Sequence, residues 1–141
     1  MTNKIFPCLW FDGNAKAAAE FYCSIFKNSK IIDDNPMVVT FELNGFKIMG
    51  LNGGPQFKFN EAASLVVNCD SQDQIDYYWD KLIAGGGEES MCGWLKDKFG
   101  FSWQIVPSNM GTLMSDPQKA QRIMPVLMQM KKLDIKKLEE A

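Results

Sequence analysis

The feature that most constrains the fold is a stripe of apolar residues that occurs twice, with the second copy 57 residues after the first (from Ala18 to Ile75). The first stripe consists of Ala18, Phe21, Tyr22, Ile25 and Phe26. The second stripe has the same spacing and consists of Ile75, Tyr78, Trp79, Leu82 and Ile83. Apolar residues at i, i+3, i+4, i+7 and i+8 form one face of an amphipathic helix. The repeat therefore predicts a duplicated unit with one such helix in each copy.

Each predicted helix follows an apolar strand at the same offset, residues 7–11 in the first copy and residues 64–68 in the second. Asn14 is expected to cap the first helix. Ser71 and Gln74 form a capping-box pattern at the start of the second helix, because each side chain can reach a free backbone donor near the other.

Strand-like segments follow both helices, at 30–33, 37–43 and 46–51 in the first half and at 88–90, 91–96 and 101–106 in the second. Asn44-Gly45 is typical of a two-residue hairpin turn, in which both positions need a positive φ. Gly100 suits the left-handed position of a second turn at residues 97–100. Each half therefore has the predicted order β-α-β-β-β.

These patterns predict an α+β fold in which two βαβββ modules, residues 1–61 and 62–106, pair into a curved mixed β-sheet cleft. A module of about 60 residues buries too little surface to be stable alone, so we expect residues 1–106 to form one domain. Residues 107–141 are predicted to be a helical C-terminal tail, with a helix over 116–130 and a short one from Asp134. Methionines in this tail indicate a packing surface. The sequence leaves open whether that surface covers its own sheet or a partner subunit.

Composition excludes several classes of function. The chain has 141 residues and no histidine, which excludes His-based zinc sites and Ser-His-Asp or Cys-His catalysis. Its net charge of -2 does not favour nucleic-acid binding. No apolar segment approaches the ~20 residues that cross a bilayer. Four cysteines without Cys-x-x-Cys spacing favour reduced, buried thiols in a cytoplasmic protein.

Glu42 and Lys47 face each other across the predicted Asn44-Gly45 hairpin. Glu42 could be a catalytic carboxylate. A cross-strand ion pair on the surface, worth about 0.2–1 kcal/mol, is the favoured interpretation.

Several strings of residues resemble a known group of proteins. They are the Phe21-Tyr22 pair and the strings PCLWF (7–11), LNGGP (51–55), FKFNE (57–61), CGWLKD (92–97), DKFG (97–100) and MQMKKLDI (128–135). Together with the βαβββ duplication, they resemble the glyoxalase/bleomycin-resistance/dioxygenase, or vicinal oxygen chelate, superfamily. Within that superfamily they are similar to the PhnB-like branch.

The resemblance implies where a metal would be held. Enzymes of the superfamily hold a divalent metal with His, Gln or Glu side chains, and the matching positions here are Pro7, Ser64, Gln104 and the strand at 48–50. Proline offers no side-chain donor, a serine hydroxyl is a poor ligand, and one amide cannot hold a catalytic metal. We therefore expect no metal site and no bound cofactor.

The PhnB-like branch also bears the description of a 3-demethylubiquinone methyltransferase. A methyl-donor nucleotide would need a glycine-rich turn between a strand and a helix. Gly53-Gly54-Pro55 does not fit this pattern, because no helical pattern follows it.

Strand alternation predicts which side chains line a ligand cavity. The predicted lining consists of Pro7, Leu9, Phe11, Met49, Phe57, Phe59, Ser64, Val66, Trp94, Ser102 and Gln104. Residues expected to pack under the helices instead are Cys8, Trp10, Leu65, Val67, Trp103 and Ile105.

Two features near the predicted cavity have alternative interpretations. Phe57 and Phe59, in the 52–60 loop, either close over the cavity mouth as an aromatic lid or anchor the connection between the halves. Glu61 is a weak candidate for a catalytic general base if desolvation raises its pKa. A solvated loop carboxylate is the favoured interpretation of Glu61.

The predicted function is that of a small-molecule-binding protein of the glyoxalase/bleomycin-resistance type without the usual metal site, with the ligand unidentified. One alternative is a metal-independent enzyme that acts on a small organic substrate through Glu61, Cys92 or an external cofactor. The other is a protein-interaction module that uses the methionine-rich tail. The expected partners are a small molecule and, by resemblance, a second copy in a homodimer, with neither nucleic acid nor membrane.

Overall fold

The computed structural model describes residues 4–141. The chain divides into two compact units, the first ending at Phe59 and the second spanning Asn60–Ala141. Elements of the first unit are β1 (Cys8–Phe11), α1 (Ala15–Ile25), β2 (Lys30–Asp34), β3 (Val38–Leu43) and β4 (Phe46–Asn52). Elements of the second unit are β5 (Ser64–Cys69), α2 (Gln72–Ile83), β6 (Glu88–Glu89), β7 (Trp94–Lys96), β8 (Ser102–Pro107), α3 (Met110–Leu113), α4 (Pro117–Leu127) and α5 (Ile135–Glu140). This order confirms the α+β class and the duplicated βαβββ unit.

The two sheets found within residues 4–141 have the same topology. The strand order is β1-β4-β3-β2 in the first and β5-β8-β7-β6 in the second. In each sheet the first strand pairs in parallel with the last, and the remaining pairs are antiparallel. Pairing of the two modules into a cleft, like the homodimer, stays a prediction.

The predicted hairpin turn is present in the first sheet. Asn44 has a φ of 51° and Gly45 a φ of 82°, as a two-residue turn of this kind needs. Glu42 lies opposite Lys47 in the ladder. The Lys47 ammonium lies 4.1 Å from the centre of the Phe6 ring.

The orientation of β1 differs from the prediction. A side chain at Gly50 would come within 3.2 Å of the Cβ of Ala15, so this side of the sheet faces α1. Leu9 pairs with Gly50, and Leu9 and Phe11 are 8% and 2% exposed. Paired residues point to the same side of a sheet. Leu9 and Phe11 therefore pack in the core beside α1, and a ligand contact for either residue stays a prediction.

Capping also differs between the two helices. The Asn14 side chain makes no capping bond, and the backbone N–H of Ala15 donates instead to Oδ1 of Asn52 at 2.9 Å. In α2, Ser71 Oγ accepts from the Gln74 N–H at 3.2 Å, as predicted. Gln74 Oε1 in turn accepts from the Asp70 N–H at 2.8 Å. The start of α1 thus depends on a strand far along the chain, whereas the start of α2 is capped locally.

The C-terminal tail packs on the second unit. Carbonyls of Met130 and Lys131 accept bonds from the Cys92 and Gly93 N–H groups, at 2.7 and 2.8 Å. A cluster of buried tail residues consists of Leu113, Ile123, Leu133 and Leu138. The tail therefore contributes to the core of its own subunit, although Met128 remains 57% exposed. No helix within residues 4–141 is both long and apolar enough to span a bilayer.

All four cysteines are free thiols, but only Cys69 is buried. Cys8 is exposed, and Cys23 and Cys92 are half-buried. The expectation of buried thiols therefore holds for Cys69 alone.

Candidate functional site

The candidate site lies on one face of the second sheet. Ladder register places five residues of the predicted lining on that face, namely Ser64, Val66, Trp94, Ser102 and Gln104. On the opposite face, Leu95, Trp103 and Ile105 are at most 2% exposed, and α2 packs against β5, β7 and β8. Val66 is 54% exposed, so part of the candidate face is open. The contribution of these five residues to ligand binding stays a prediction.

A hydrogen bond joins two of the positions that the resemblance matches to metal ligands. Gln104 Nε2 donates to Ser64 Oγ at 2.9 Å. Within residues 4–141, no group of three or more His, Cys, Asp or Glu side chains is placed to hold a metal ion. A divalent cation needs several oxygen or nitrogen donors around it. The residues present at these positions therefore do not fit a catalytic metal.

Pro7, the third such position, lies just before β1, and its backbone carbonyl accepts from the Met49 N–H at 3.0 Å. Met49 lies next to Gly50 in β4 and so points away from α1, to the side opposite Leu9 and Phe11. Met49 therefore does not share a face of the sheet with Leu9 and Phe11, although all three belong to the predicted lining.

The aromatic loop packs on β1 within the first unit. The rings of Phe57 and Trp10 are 4.9 Å apart, and those of Phe59 and Phe11 are 5.3 Å apart, both edge to face. Trp10 Nε1 donates to the Gly54 carbonyl at 2.9 Å. These contacts support the anchoring interpretation of the loop. Phe57 is nevertheless 65% exposed, and a ligand contact for it stays a prediction.

The same packing explains the glycine pair. A Cβ on Gly53 would lie 2.3 Å from the Trp10 ring, and both Gly53 and Gly54 N–H groups donate to the Phe11 carbonyl. The glycines therefore serve a close backbone approach to β1, and no helix follows them before β5.

The turn between β7 and β8 is organised by a buried carboxylate. Asp97 is 2% exposed and accepts from the N–H groups of Phe99 and Phe101, at 2.8 and 3.1 Å, and from Trp103 Nε1 at 2.8 Å. Gly100 has a φ of 86°, as the turn prediction requires. This network fixes the end of β7 at Lys96 and the start of β8 at Ser102.

A cavity of about 210 Å³ lies beside this turn. Its lining consists of Glu61, Glu88, Glu89, Ser90, Trp94, Leu95, Lys96 and Ser102. Lys96 Nζ and Glu61 Oε1 form an ion pair at 2.6 Å. Ser102 is 1% exposed, and its Oγ has no hydrogen-bond partner in the described part of the chain.

The ion pair weakens the case for Glu61 as a general base. A hydrogen bond from Lys96 lowers the pKa of the Glu61 carboxyl, and the same contact raises the pKa of Lys96. A base active near neutral pH needs the opposite shift. The condition set for a catalytic Glu61 is therefore not met.

Thiol chemistry is also disfavoured at three cysteines. Burial raises the pKa of Cys69 to about 11, with a smaller contribution from Asp70. Burial likewise raises the pKa of Cys8 and of Cys23. Because the thiolate is the reactive form, these groups are poor nucleophiles.

Sequence reasoning missed Lys96 and Glu88 as site residues. Lys96 lies two positions after Trp94 in the same strand and therefore shares its face. That alternation was visible in the sequence. The pairing of Lys96 with Glu61 was not, because Glu61 lies in a turn outside the strands.

Comparisons with known proteins agree with this architecture. Residues 3–106 match the sequence profile of the family described as 3-demethylubiquinone-9 3-methyltransferase. The PhnB protein of Bacillus cereus, with the same description, is 32% identical over 74% of this chain and 99% of its own, at a TM-score of 0.67. PA1353 from Pseudomonas aeruginosa is 20% identical over 75% of this chain and 98% of its own, at a TM-score of 0.63. The fosfomycin resistance protein FosX of Listeria monocytogenes, solved with Mn(II) and a sulfate ion, is 15% identical over 82% of this chain and 97% of its own, at a TM-score of 0.60.

No protein with a curated description matches the chain significantly. Two successive βαβββ units and these structural neighbours define a protein of the vicinal oxygen chelate superfamily. Within it, the chain belongs to the 3-demethylubiquinone-9 3-methyltransferase family, in the PhnB-like branch.

Proposed function

We propose that this protein binds a small organic molecule without using the divalent metal of its superfamily. The observation that supports this is the hydrogen bond from Gln104 Nε2 to Ser64 Oγ. Two side chains at metal-ligand positions are hydrogen-bonded to each other, on a face that also includes a half-buried tryptophan and an exposed valine. A few polar groups among apolar ones are typical of a small-ligand site.

The protein is proposed to bind rather than to catalyse. Glu61 is held ionised by Lys96, and burial keeps three of the thiols protonated. Methyl transfer, which the family's description names, would need a site for the methyl donor. The one glycine pair considered for it is used to pack against Trp10.

The test combines native mass spectrometry and metal analysis on freshly purified protein. We expect an organic adduct and metal well below one equivalent. Stoichiometric zinc, nickel, manganese or iron in protein purified without added metal would contradict the proposal.

A substitution tests whether the adduct occupies the proposed face. Ser64→Trp should remove the adduct while leaving the circular dichroism spectrum unchanged, because the new ring would cover the open face. Ser24→Trp is the matched control, since Ser24 is exposed on α1 in the other unit. Retention of the adduct by folded Ser64→Trp would show that the molecule binds elsewhere.

A further inference from the structure

Three polar side chains in the cavity beside the β7–β8 turn, Glu88, Lys96 and Ser102, form a row across neighbouring strands on one face of the sheet. Glu88 pairs with Lys96 across β6 and β7, and Lys96 pairs with Ser102 across β7 and β8. Paired residues point to the same side, so the carboxylate, the ammonium and the hydroxyl lie in one line. Glu61 contacts the middle of this line through its 2.6 Å bond to Lys96.

The row contains a polar group that lacks a partner. Ser102 lines the cavity, and its buried Oγ makes no hydrogen bond within residues 4–141. Native structures keep few such groups, and a water, an ion or a ligand bound beside the hydroxyl is one way to satisfy it. A hydroxyl oxygen can accept a bond from a ligand N–H.

The charge of the row selects the kind of ligand. Two carboxylates, Glu61 and Glu88, share one ammonium, that of Lys96, which leaves one negative charge in excess. Glu89 also lines the cavity and adds to the negative excess, because the bond at 2.8 Å that its carboxylate accepts comes from the uncharged Trp79 Nε1–H. An anion would add to the excess, whereas a cation would neutralise it.

Trp94 and the size of the cavity define the rest of the ligand. Trp94 lies on the same face, two residues before Lys96, and lines the cavity. An indole ring stabilises both an apolar chain and a nearby cation. The volume of about 210 Å³ is below the ~300–1,000 Å³ of pockets that take drug-sized ligands.

We propose that this cavity binds a small organic cation, a primary ammonium group on a short apolar body. The ammonium donates to Glu88 and to Ser102 Oγ, and the apolar body lies against Trp94. This inference rests on the proposed function, since it names the ligand class of the same sheet face.

The experiment compares three four-carbon probes, n-butylammonium, butanoate and 1-butanol, by two-dimensional amide and indole NMR. We expect butylammonium to shift the Ser102 amide and the Trp94 indole signal at lower concentration than the other two. Added salt should weaken its binding, because the attraction is partly between charges.

Glu88→Gln should reduce the affinity for butylammonium by about tenfold, the lower end of what one bond to a charged group contributes, and should leave butanol binding unchanged. Glu20→Gln is the control with the same charge change, on an exposed position of α1. Ser102→Ala should also weaken butylammonium binding without affecting butanol.

Each outcome of these experiments either supports or refutes the binding of an organic cation in this cavity. Equal or tighter binding of butanoate or butanol at Trp94 would refute the cation preference and leave the proposed function standing. Equal loss in Glu20→Gln would show a nonspecific charge effect and also refute it. If no probe shifts Ser102 or Trp94, the inference is overturned, and native mass spectrometry then decides the proposed function separately.

Discussion

Replacement of Asp97 tests whether the buried carboxylate holds the β7–β8 turn and with it the cavity. In Asp97→Asn, one oxygen can still accept from the Phe99 and Phe101 N–H groups, but an amide NH₂ faces Trp103 Nε1. A hydrogen bond to a charged group contributes about 1.5–3 kcal/mol, and the two retained bonds weaken when the charge is removed. Relief of the buried charge opposes these losses. We expect the free energy of unfolding to fall by about 2 kcal/mol, a large part of the ~5–15 kcal/mol of a typical domain.

Urea unfolding followed by tryptophan fluorescence measures this change. Asp33→Asn, at an exposed position of β2, is the control and should change the free energy of unfolding by less than about 0.5 kcal/mol. A double-mutant cycle with Trp103→Phe isolates the bond between the carboxylate and the indole. A coupling near zero, or an Asp97→Asn protein as stable as the wild type, would refute the role assigned to Asp97.

Two further predictions concern the tail and the loop before Pro55. A hydrogen bond from Lys132 lowers the pKa of Asp76 in the folded protein. The stability that this carboxylate contributes is therefore present above its unfolded pKa of about 3.9, and it is lost as the pH falls through the lower pKa of the folded state. The pair is partly exposed and worth about 0.2–1 kcal/mol. Its loss in acid should loosen the tail, and we expect Asp76→Asn to remove this pH dependence in amide exchange measured between pH 5 and pH 2. The same pH profile in Asp76→Asn and in the wild type would contradict the assignment. Gly53→Ala places a Cβ against the Trp10 ring and should destabilise the protein by about 1–3 kcal/mol in urea unfolding. Gly111→Ala, with open space around it in α3, should be neutral or stabilise the protein by up to about 1 kcal/mol, and similar losses in both variants would refute the packing argument.

Strong local signals made most of the fold predictable. Each of the two apolar helix stripes, the Asn44-Gly45 turn and the Ser71 cap depends on residues close together in the chain, and all are present in the structure. Short-range spacing specifies such features, because helix faces, hairpin turns and caps involve neighbours only.

The face of β1 could not be predicted from its own residues. Residues 7–11 are all apolar, so neither alternate set contrasts in polarity with the other. The structure resolves this through α1, which packs on the side of Gly50 and so buries Leu9 and Phe11. In β5 and β8, by contrast, Ser64 and Gln104 mark one face and Trp103 the other.

The candidate site was only partly predictable for a related reason. Ser102 and Trp94 followed from strand alternation, but the unpaired Ser102 hydroxyl and the Glu61–Lys96 pair depend on three-dimensional neighbours. The cap that Asn52 provides for α1 was missed for the same reason, because 37 residues separate the two groups in the bond.

The Asn52 bond has a consequence for the order of events during synthesis. The second helix has its cap three residues away and can begin as soon as that segment leaves the ribosome. The first helix has been made long before Asn52 emerges, so its first turn must wait for β4 to pair with β1. We therefore expect a nascent chain that ends before Asn52 to have a frayed α1, because loop closure must precede the contact that secures it.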